Sequence, residues 1–489
     1  MQYSFYQKVA FTGLVLFILA SFFSVGYHHP DEHFQIIEFC NYKQGNIPAT
    51  DLSWEFQQQI RPALPVFVCY AIFNFFETIG ISNPFVLAFL LRLITAVLAW
   101  MVLKRLAFLF LDDFKHEHTK KIFFVLIFLL WFMPYISVRF SSENLAAITF
   151  LAALFLVLKP VRSSESKNYL SLFIAGILLA FSFYFRFQMG FAIIGLGGWL
   201  LFIRKPGFVN LVFLLAGGIL ALVLCIASDY WLYGAWVLSP VNYFTANIVE
   251  NVASGWGDSP WWYYFYMFFL QAIPPIGLTF LIFFGWGFVK KKTHVFAWIM
   301  IPFLLAHFFV GHKEMRFLFP MIFPLLYFVA VGIDQLSIPE KRRKTYRILF
   351  RTLLGINLFF LFFRTLMPAR ELLYYHQYLY SLAATNKIEL VCLEEDRMYH
   401  PAQLPIHFYK SPNVTTLLFA DEVAFQAYLD SEKPTQIYLL NQELNMETSY
   451  NGYSEKTCFS ILPDWVTKLN VNDWTNHAKI WEIKELRRM

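Results

Sequence analysis

Two short polar constellations interrupt an otherwise apolar chain. The first is His29-Pro30-Asp31-Glu32-His33-Phe34-Gln35, an acidic pair placed just after the first membrane-length apolar run. A carboxylate with the reference Asp pKa of about 3.9 is ionised at neutral pH. It can accept a proton from a hydroxyl as that hydroxyl attacks. The second is Gly311-His312-Lys313-Glu314-Met315-Arg316-Phe317, where basic or titratable groups crowd between two apolar runs. Lys supplies a point charge and Arg a planar fork of donors, a pairing suited to a phosphate or pyrophosphate at a membrane surface. Glu314 is placed to hold one of them.

Each constellation also has a plainer reading. An Asp after Pro often begins a helix and a neighbouring Glu favours its positive end, which is compatible with chemistry at the same residues. Lys and Arg can simply flank spans as interfacial anchors. Two adjacent carboxylates can hold a divalent cation, but hard ions usually take more oxygen ligands. His28, His29 and His33 lack the spacing of a zinc helix motif and suit orientation by hydrogen bonding. No metal and no cofactor is expected.

The elements that must position these groups are membrane helices. With 58% hydrophobic residues, 58 Phe in 489 residues and 15% charge, the chain is too apolar for soluble domains and reads as a polytopic membrane protein. Apolar stretches fall at 9–27, 84–103, 122–138, 144–158, 168–185, 187–203, 206–228, 259–289, 294–312, 317–333 and 348–367. At 1.5 Å per residue about 20 residues cross the hydrocarbon core, so about eleven spans are expected. The last carries Arg351 and Arg364 near its ends, where both can snorkel. The 9–27 stretch lacks a strongly basic start and an Ala-x-Ala-like exit, so it is expected to be a retained span and not a cleaved signal.

Charge fixes the expected orientation. Lys104, Arg105, Lys115, Lys120 and Lys121, then Lys159, Arg162 and Lys167, Arg204 and Lys205, Lys290 to Lys292, and Lys341 to Lys344 with Arg347 fall in alternate loops, whereas residues 229–260 contain no Lys or Arg. The positive-inside rule places the basic loops and the amino terminus in the cytoplasm and the carboxyl terminus outside. The apolar 62–80 segment then lies in or dips into the interface, because a further crossing would invert every later basic loop. The net charge of +6 follows from these loops and carries no nucleic-acid signal. A bacterial inner membrane is favoured by the short external loops; an endoplasmic reticulum membrane gives the same pattern, and there the Asn413-Val414-Thr415 sequon would matter.

On that topology Asp31, Glu32, Arg139, Glu143, Arg186, Gln188, Asp229, Asp258, His312, Lys313, Glu314 and Arg316 all gather on the external side. Charges near the hydrocarbon are costly, so such a gathering marks a site. Arg139 and Arg186 are candidate partners for carboxylate or phosphate, or snorkelling residues; Arg92 is expected to be paired inside the bundle. The aromatic 229–263 region reads mainly as an interfacial belt, but Asp229 and Asp258 have no obvious partner in sequence. From about residue 369 charge rises and β-like runs such as 388–393 and 436–440 mark a small soluble α/β domain, giving domains 1–368 and 369–489. Cys392 and Cys458, on the oxidising side, either pair or are two small buried residues.

These motifs resemble the Alg9-like α-mannosyltransferases, glycosyltransferase family 22. The resemblance rests on His29-Pro30-Asp31-Glu32 with Phe34-Gln35 and Glu38, on Trp54-Glu55 and Arg61, on Asp229-x-x-x-Tyr233-Gly234, and on His312-Lys313-Glu314-x-Arg316-Phe317, over roughly residues 8 to 335. Met315 departs from the pattern, since many relatives carry a second Glu there. The resemblance implies a GT-C membrane fold, a lipid-linked sugar donor and inversion at the anomeric carbon. It implies Asp31 as catalytic base, Glu32 in acceptor positioning, and His312, Lys313 and Arg316 at the donor phosphate. His29, Gln35, Arg139, Arg186, Asp229, Asp258 and Glu314 are then substrate-binding candidates. The expected partners are the lipid-linked donor, a glycan or glycolipid acceptor and membrane lipids, with mannose the expected sugar and another polyprenyl-phosphate sugar the alternative. A transporter or flippase of lipid-linked glycans is the competing class; it should show matched repeats with interrupted half-helices, and no internal repeat is evident.

Overall fold

Leu, Phe, Ile and Val dominate the first two-thirds of the chain, and the computed structural model shows that part as helices that are apolar on nearly every side. It describes residues 2–163, 168–337, 339–370, 372–393, 405–443, 450–469, 472, 474 and 479–489. Lys167, counted above with a basic loop, lies outside the described residues. The chain divides into two compact units, one comprising 1–24, 54–81 and 88–367, the other 25–53, 82–87 and 368–489.

Among the described residues six helices are long and apolar enough to cross a membrane: Ser4–Phe23, Pro84–Asp113, Ser142–Lys159, Phe208–Tyr233, Met315–Asp334 and Glu340–Leu366. The pair Pro274–Lys290 and Val295–Phe309, bent by 120°, raises the number to as many as seven. All eleven expected stretches are largely helical, yet length alone does not make each a span. The 122–138 stretch stops at Leu129 and resumes as the short Met133–Ser137 helix. The 259–289 stretch breaks before Pro274-Pro275, where proline removes backbone donors. Leu64–Thr78 has 15 residues and is about 22 Å long, short of the hydrocarbon core. It buries Val66, Cys69 and Phe73 while exposing Phe67 and Phe75.

Close backbone approach holds these helices together. A Cβ on Gly176 would lie 1.9 Å from Leu214 O, and one on Gly217 would lie 2.0 Å from Phe173 O. The helices Tyr169–Phe185 and Phe208–Tyr233 therefore touch through glycine on both sides. Ser182 Oγ donates to Ala146 O at 2.8 Å, joining Tyr169–Phe185 to Ser142–Ser163. Arg92 is paired within the bundle, its Nε donating to Ser21 O at 2.9 Å.

The second unit contains a five-stranded sheet: β1 (Ile388–Leu393), β2 (Val414–Phe419), β3 (Gln436–Glu443), β4 (Tyr453–Ser460) and β5 (Lys479–Arg488), in the order β2-β1-β3-β5-β4. β1 is parallel to β2 and β3, and β5 is antiparallel to β3 and β4. Alternation assigns the faces. Ile388, Leu390 and Cys392 pack with Tyr375 and Leu379 of the Leu373–Leu382 helix, while Val391, Ile437 and Leu439 pack with Phe425 and Leu429 of the Glu422–Glu432 helix. The sheet agrees with the small α/β domain expected after residue 369, but the compact unit also takes in 25–53 and 82–87, two segments expected in the domain 1–368. Cys392 and Cys458 are both free thiols. They sit on β1 and β4, with β3 and β5 between, so they do not pair; Cys392 is buried as the alternative expects, whereas Cys458 is only half-buried.

Candidate active site

Within the second unit, Asp31 and Glu32 lie in the one-turn helix Pro30–Glu32, opened by His29 and followed by the π turn His33–Ile37. His29 Nδ1 caps the turn, 3.3 Å from the Asp31 amide and 3.2 Å from Asp31 Oδ1. The cap is thus the His29 side chain, and Asp31 and Glu32 lie inside the first turn, where their charge favours its amino end. The pair is asymmetric: the Asp31 side chain is 22% exposed, whereas Glu32 is buried and its Oε2 accepts from the His28 amide at 3.2 Å. Asp31 is thus the more exposed carboxylate of the pair. Gln35 is buried in the π turn. Glu38, which closes that turn, is buried as well; burial pushes its pKa up, but His33, the Phe408 amide and Asn41 outweigh this and hold it below the ordinary Glu value.

Within the first unit a second constellation forms around Glu143, at the start of Ser142–Ser163. Its Oε1 is 3.1 Å from Arg186 Nη1 and 3.0 Å from Arg316 Nη1. Arg316 also grips Glu314, Nε to Oε2 at 2.6 Å and Nη2 to Oε1 at 3.1 Å. Glu314 Oε1 in turn lies 2.9 Å from His312 Nε2. Both guanidinium groups stand against the Phe317 ring, 4.6 Å from its centroid for Arg186 and 5.2 Å for Arg316. The two buried Arg side chains converge on one carboxylate oxygen, and Glu143 and Glu314 together balance their charge.

Lys313 is placed differently from the expectation of a directly presented phosphate ligand. Its ammonium donates to Ser259 O at 2.8 Å, Gly311 O at 3.3 Å and Val310 O, so its three donors meet three carbonyls. Burial lowers its pKa, and nearby Asp258 opposes that. The same two loops are joined by Ser259 N to Gly311 O at 2.9 Å and by His312 Nδ1 to Gly257 O at 3.2 Å. The Asp258 carboxylate rests on Gly311, where a Cβ would lie 2.1 Å from its Oδ1. Asp258, without a partner in the sequence, is part of this clasp.

Two other candidates prove to be structural hubs of the first unit. Asp229 is fully buried and accepts from Ala63 N at 3.0 Å, Tyr184 Oη at 2.7 Å and Ser239 Oγ at 2.6 Å. It pins the start of Leu64–Thr78 to the end of Phe208–Tyr233. Arg139 is buried and donates to Ser24 O at 2.9 Å and Ser24 Oγ at 2.6 Å, with its guanidinium 5.0 Å from the Tyr135 ring. In the resemblance motif Arg61 pairs with Glu55 at 3.2 Å and its carbonyl accepts from Tyr233 Oη at 2.7 Å. Glu143 was visible as a polar residue on the expected external side, but nothing in its neighbours revealed that it bridges two arginines. Tyr184 gave no separate signal among so many interfacial aromatics.

The Alg9-like mannosyltransferase family model matches residues 9–410. The chain belongs to that family. The match runs beyond the motifs recognised up to residue 335 and into the second unit. Among curated relatives of this family member is GPI alpha-1,2-mannosyltransferase 3 of Bos taurus, 25% identical over 352 residues, covering 70% of this chain and 63% of the relative. The human protein of the same name is 25% identical over 333 residues, covering 67% and 57%. The probable Dol-P-Man:Man(7)GlcNAc(2)-PP-Dol alpha-1,6-mannosyltransferase of Schizosaccharomyces pombe is 26% identical over 259 residues, covering 49% and 44%. The chain thus spans about three-fifths of the length of the first two. Among solved structures, ArnT from Cupriavidus metallidurans bound to undecaprenyl phosphate matches with a TM-score of 0.53 at 11% identity, covering 98% of this chain and 97% of that one. That likeness shows the fold, which is GT-C.

Proposed function

We propose that this family member is an inverting glycosyltransferase that moves mannose from a polyprenyl-phosphate carrier to a glycan or glycolipid acceptor on the non-cytoplasmic face of its membrane. The observation that carries the reading is the Asp31/Glu32 turn, with one carboxylate accessible and its neighbour buried. The dolichol-linked name of the Schizosaccharomyces pombe relative and the undecaprenyl phosphate bound by its structural neighbour support a lipid-phosphate donor.

In this reaction the acceptor oxygen forms a bond to the anomeric carbon from the face opposite the phosphate. The bond from that carbon to the phosphate oxygen breaks, and the carrier leaves as polyprenyl phosphate. Asp31 takes the hydroxyl proton as the new bond forms. Arg316, with Arg186 and the Lys313 loop, meets the charge that grows on the departing phosphate. Lipid phosphate is already a good leaving group, so a base, charge stabilisation and positioning suffice. The apolar helices hold donor and acceptor lipids at the bilayer surface.

The test is sugar transfer by purified protein in lipid, supplied with polyprenyl-phosphate-mannose or GDP-mannose, for wild type and Asp31→Asn side by side. Transfer or release from the lipid donor, lost in the variant, is the expected result. Use of GDP-mannose alone would overturn the donor, and full turnover by Asp31→Asn would overturn the base.

A further inference from the structure

The Asp31 turn opens a continuous helical run made of Pro30–Glu32, the π turn His33–Ile37 and Glu38–Lys43. A helix of this length is marginal in isolation, so contacts outside it help to fix its conformation. The described residues of the second unit supply them. Glu38 N donates to His33 O and closes the π turn. The Glu38 side chain returns to the same residue, with Oε1 2.8 Å from His33 Nε2. That oxygen also accepts from the His407 and Phe408 amides at 2.8 and 3.0 Å, while Asn41 Nδ2 donates to Oε2 at 3.1 Å. The His33 ring, fully buried, lies between Tyr27 and Tyr409, 5.5 Å from each and inclined by 23° and 12°. Upstream, the Ala369 and Arg370 amides donate to Val25 O at 2.8 and 3.0 Å. The chain just before the turn is therefore tied to the start of the C-terminal segment.

Taking Asp31 as the base, we infer that Glu38 is a positioning residue: through His33 and the His407 and Phe408 amides it locks the Pro30–Ile37 turn to the C-terminal domain, which thereby sets the place of the Asp31 carboxylate. This gives the C-terminal domain a part in catalysis without any substrate contact of its own. A carboxylate is suited to the task because one oxygen serves two successive backbone amides and a ring nitrogen together, which a hydroxyl or a smaller side chain cannot span. Displacement of a base by about 1 Å costs on the order of a hundredfold in rate.

The experiment compares wild type, Glu38→Gln, Glu38→Ala, Tyr409→Leu and Asp31→Asn as full-length protein in lipid. It reads kcat and KM for polyprenyl-phosphate-mannose together with hydrogen exchange of peptides covering residues 30–38 and 405–410. Glu38→Ala is expected to lower kcat at least about tenfold with donor KM within about twofold, and to speed exchange in both peptides while Ser142–Ser163 is unaltered. Glu38→Gln, which keeps an acceptor oxygen, should recover part of the rate. Tyr409→Leu removes one face of the His33 stack and carries the same expectation should Glu38→Ala fail to fold. Wild-type kcat in Glu38→Ala beside a dead Asp31→Asn would overturn the positioning role alone. An active Asp31→Asn would overturn the base assignment, and unchanged exchange at 405–410 would overturn the lock whatever the turnover.

Discussion

Arg186 and Arg316 share one oxygen of Glu143 and stand against the same phenyl ring, Phe317. They come from residues 130 apart in sequence, and a buried carboxylate holds the two like charges together. Removing that carboxylate takes the Glu143 contact from the buried Arg186, while Arg316 keeps its two contacts to Glu314. Glu143→Ala should therefore destabilise the first unit by about 3–5 kcal/mol, the usual cost of breaking a buried ion pair, read as a lowered thermal midpoint in detergent. Glu143→Ala combined with Arg186→Leu should recover part of the loss, because one unpaired charge goes with it. A midpoint equal to wild type in the single variant would mean that Glu143 is not the bridge.

Arg316 and Lys313 sit in one motif but are held differently, and their variants should separate. Arg316→Ala removes a guanidinium of the Glu143 cluster and should weaken binding of polyprenyl phosphate by about tenfold or more, the worth of a charge-assisted contact. Lys313→Ala removes the knot at the carbonyls of Ser259, Val310 and Gly311. It should speed amide exchange across 257–259 and 311–314 as well as weakening binding. Equal donor affinity for wild type and Arg316→Ala would move the phosphate elsewhere, while unaltered exchange in Lys313→Ala would deny the clasp.

Much of this was legible before any coordinates. Asp31, Glu32 and the Lys313 to Arg316 run were visible because charge beside an apolar run is costly and so needs a reason. The runs 388–393 and 436–440 became β1 and β3, since β-branched and aliphatic residues in short bursts fit a sheet. What could not be read was pairing over distance. Asp229 looked partnerless because its donors are Ala63, Tyr184 and Ser239, a backbone amide and two hydroxyl side chains that no charge pattern marks. The span count failed to follow from hydropathy where Pro134 and Pro274-Pro275 interrupt apolar stretches. Glu38 stood in a motif, but its bonds to His407 and Phe408 depend on chain folded more than three hundred residues away.

Gly311 offers a steric test of the clasp. With no side chain it admits the Asp258 carboxylate, and an added methyl would overlap Oδ1. Gly311→Ala should push the 258 and 311 loops apart, weaken polyprenyl phosphate binding and open the 255–260 segment to limited proteolysis. Asp258→Ala added to Gly311→Ala should restore proteolytic resistance, since it clears the space. If the single variant is as resistant as wild type, the two loops do not pack as described.

Among the described residues no group of three or more His, Cys, Asp or Glu side chains is arranged to hold a metal ion. Two adjacent carboxylates supply fewer oxygens than a hard cation usually takes, so turnover is expected to survive prolonged chelation with EDTA and to be no faster with added magnesium or manganese. Loss of turnover on chelation, restored by one of these ions, would return the Asp31/Glu32 pair to the metal-binding reading.

The second unit should be sensitive to acid in a defined direction. His376 is buried beside Tyr375, their rings 4.4 Å apart. Burial first, then His33 and Lys410, bring its pKa down from 6.5 to about 3, with Glu38 opposing. A folded pKa below the unfolded one means that the unfolded chain binds the proton first. Stability is therefore complete above about pH 6.5 and falls as the pH drops toward 3, by as much as roughly 4 to 5 kcal/mol over the whole window. Glu38, also held low, adds a loss of the same sign below its unfolded pKa. Thermal midpoints of the full chain from about pH 8 to about pH 4 should fall for wild type, and His376→Phe, which keeps the ring stack and removes the titration, should fall less steeply. Parallel curves for the two proteins would show that the ring is already protonated, or that it is not buried, in the folded state.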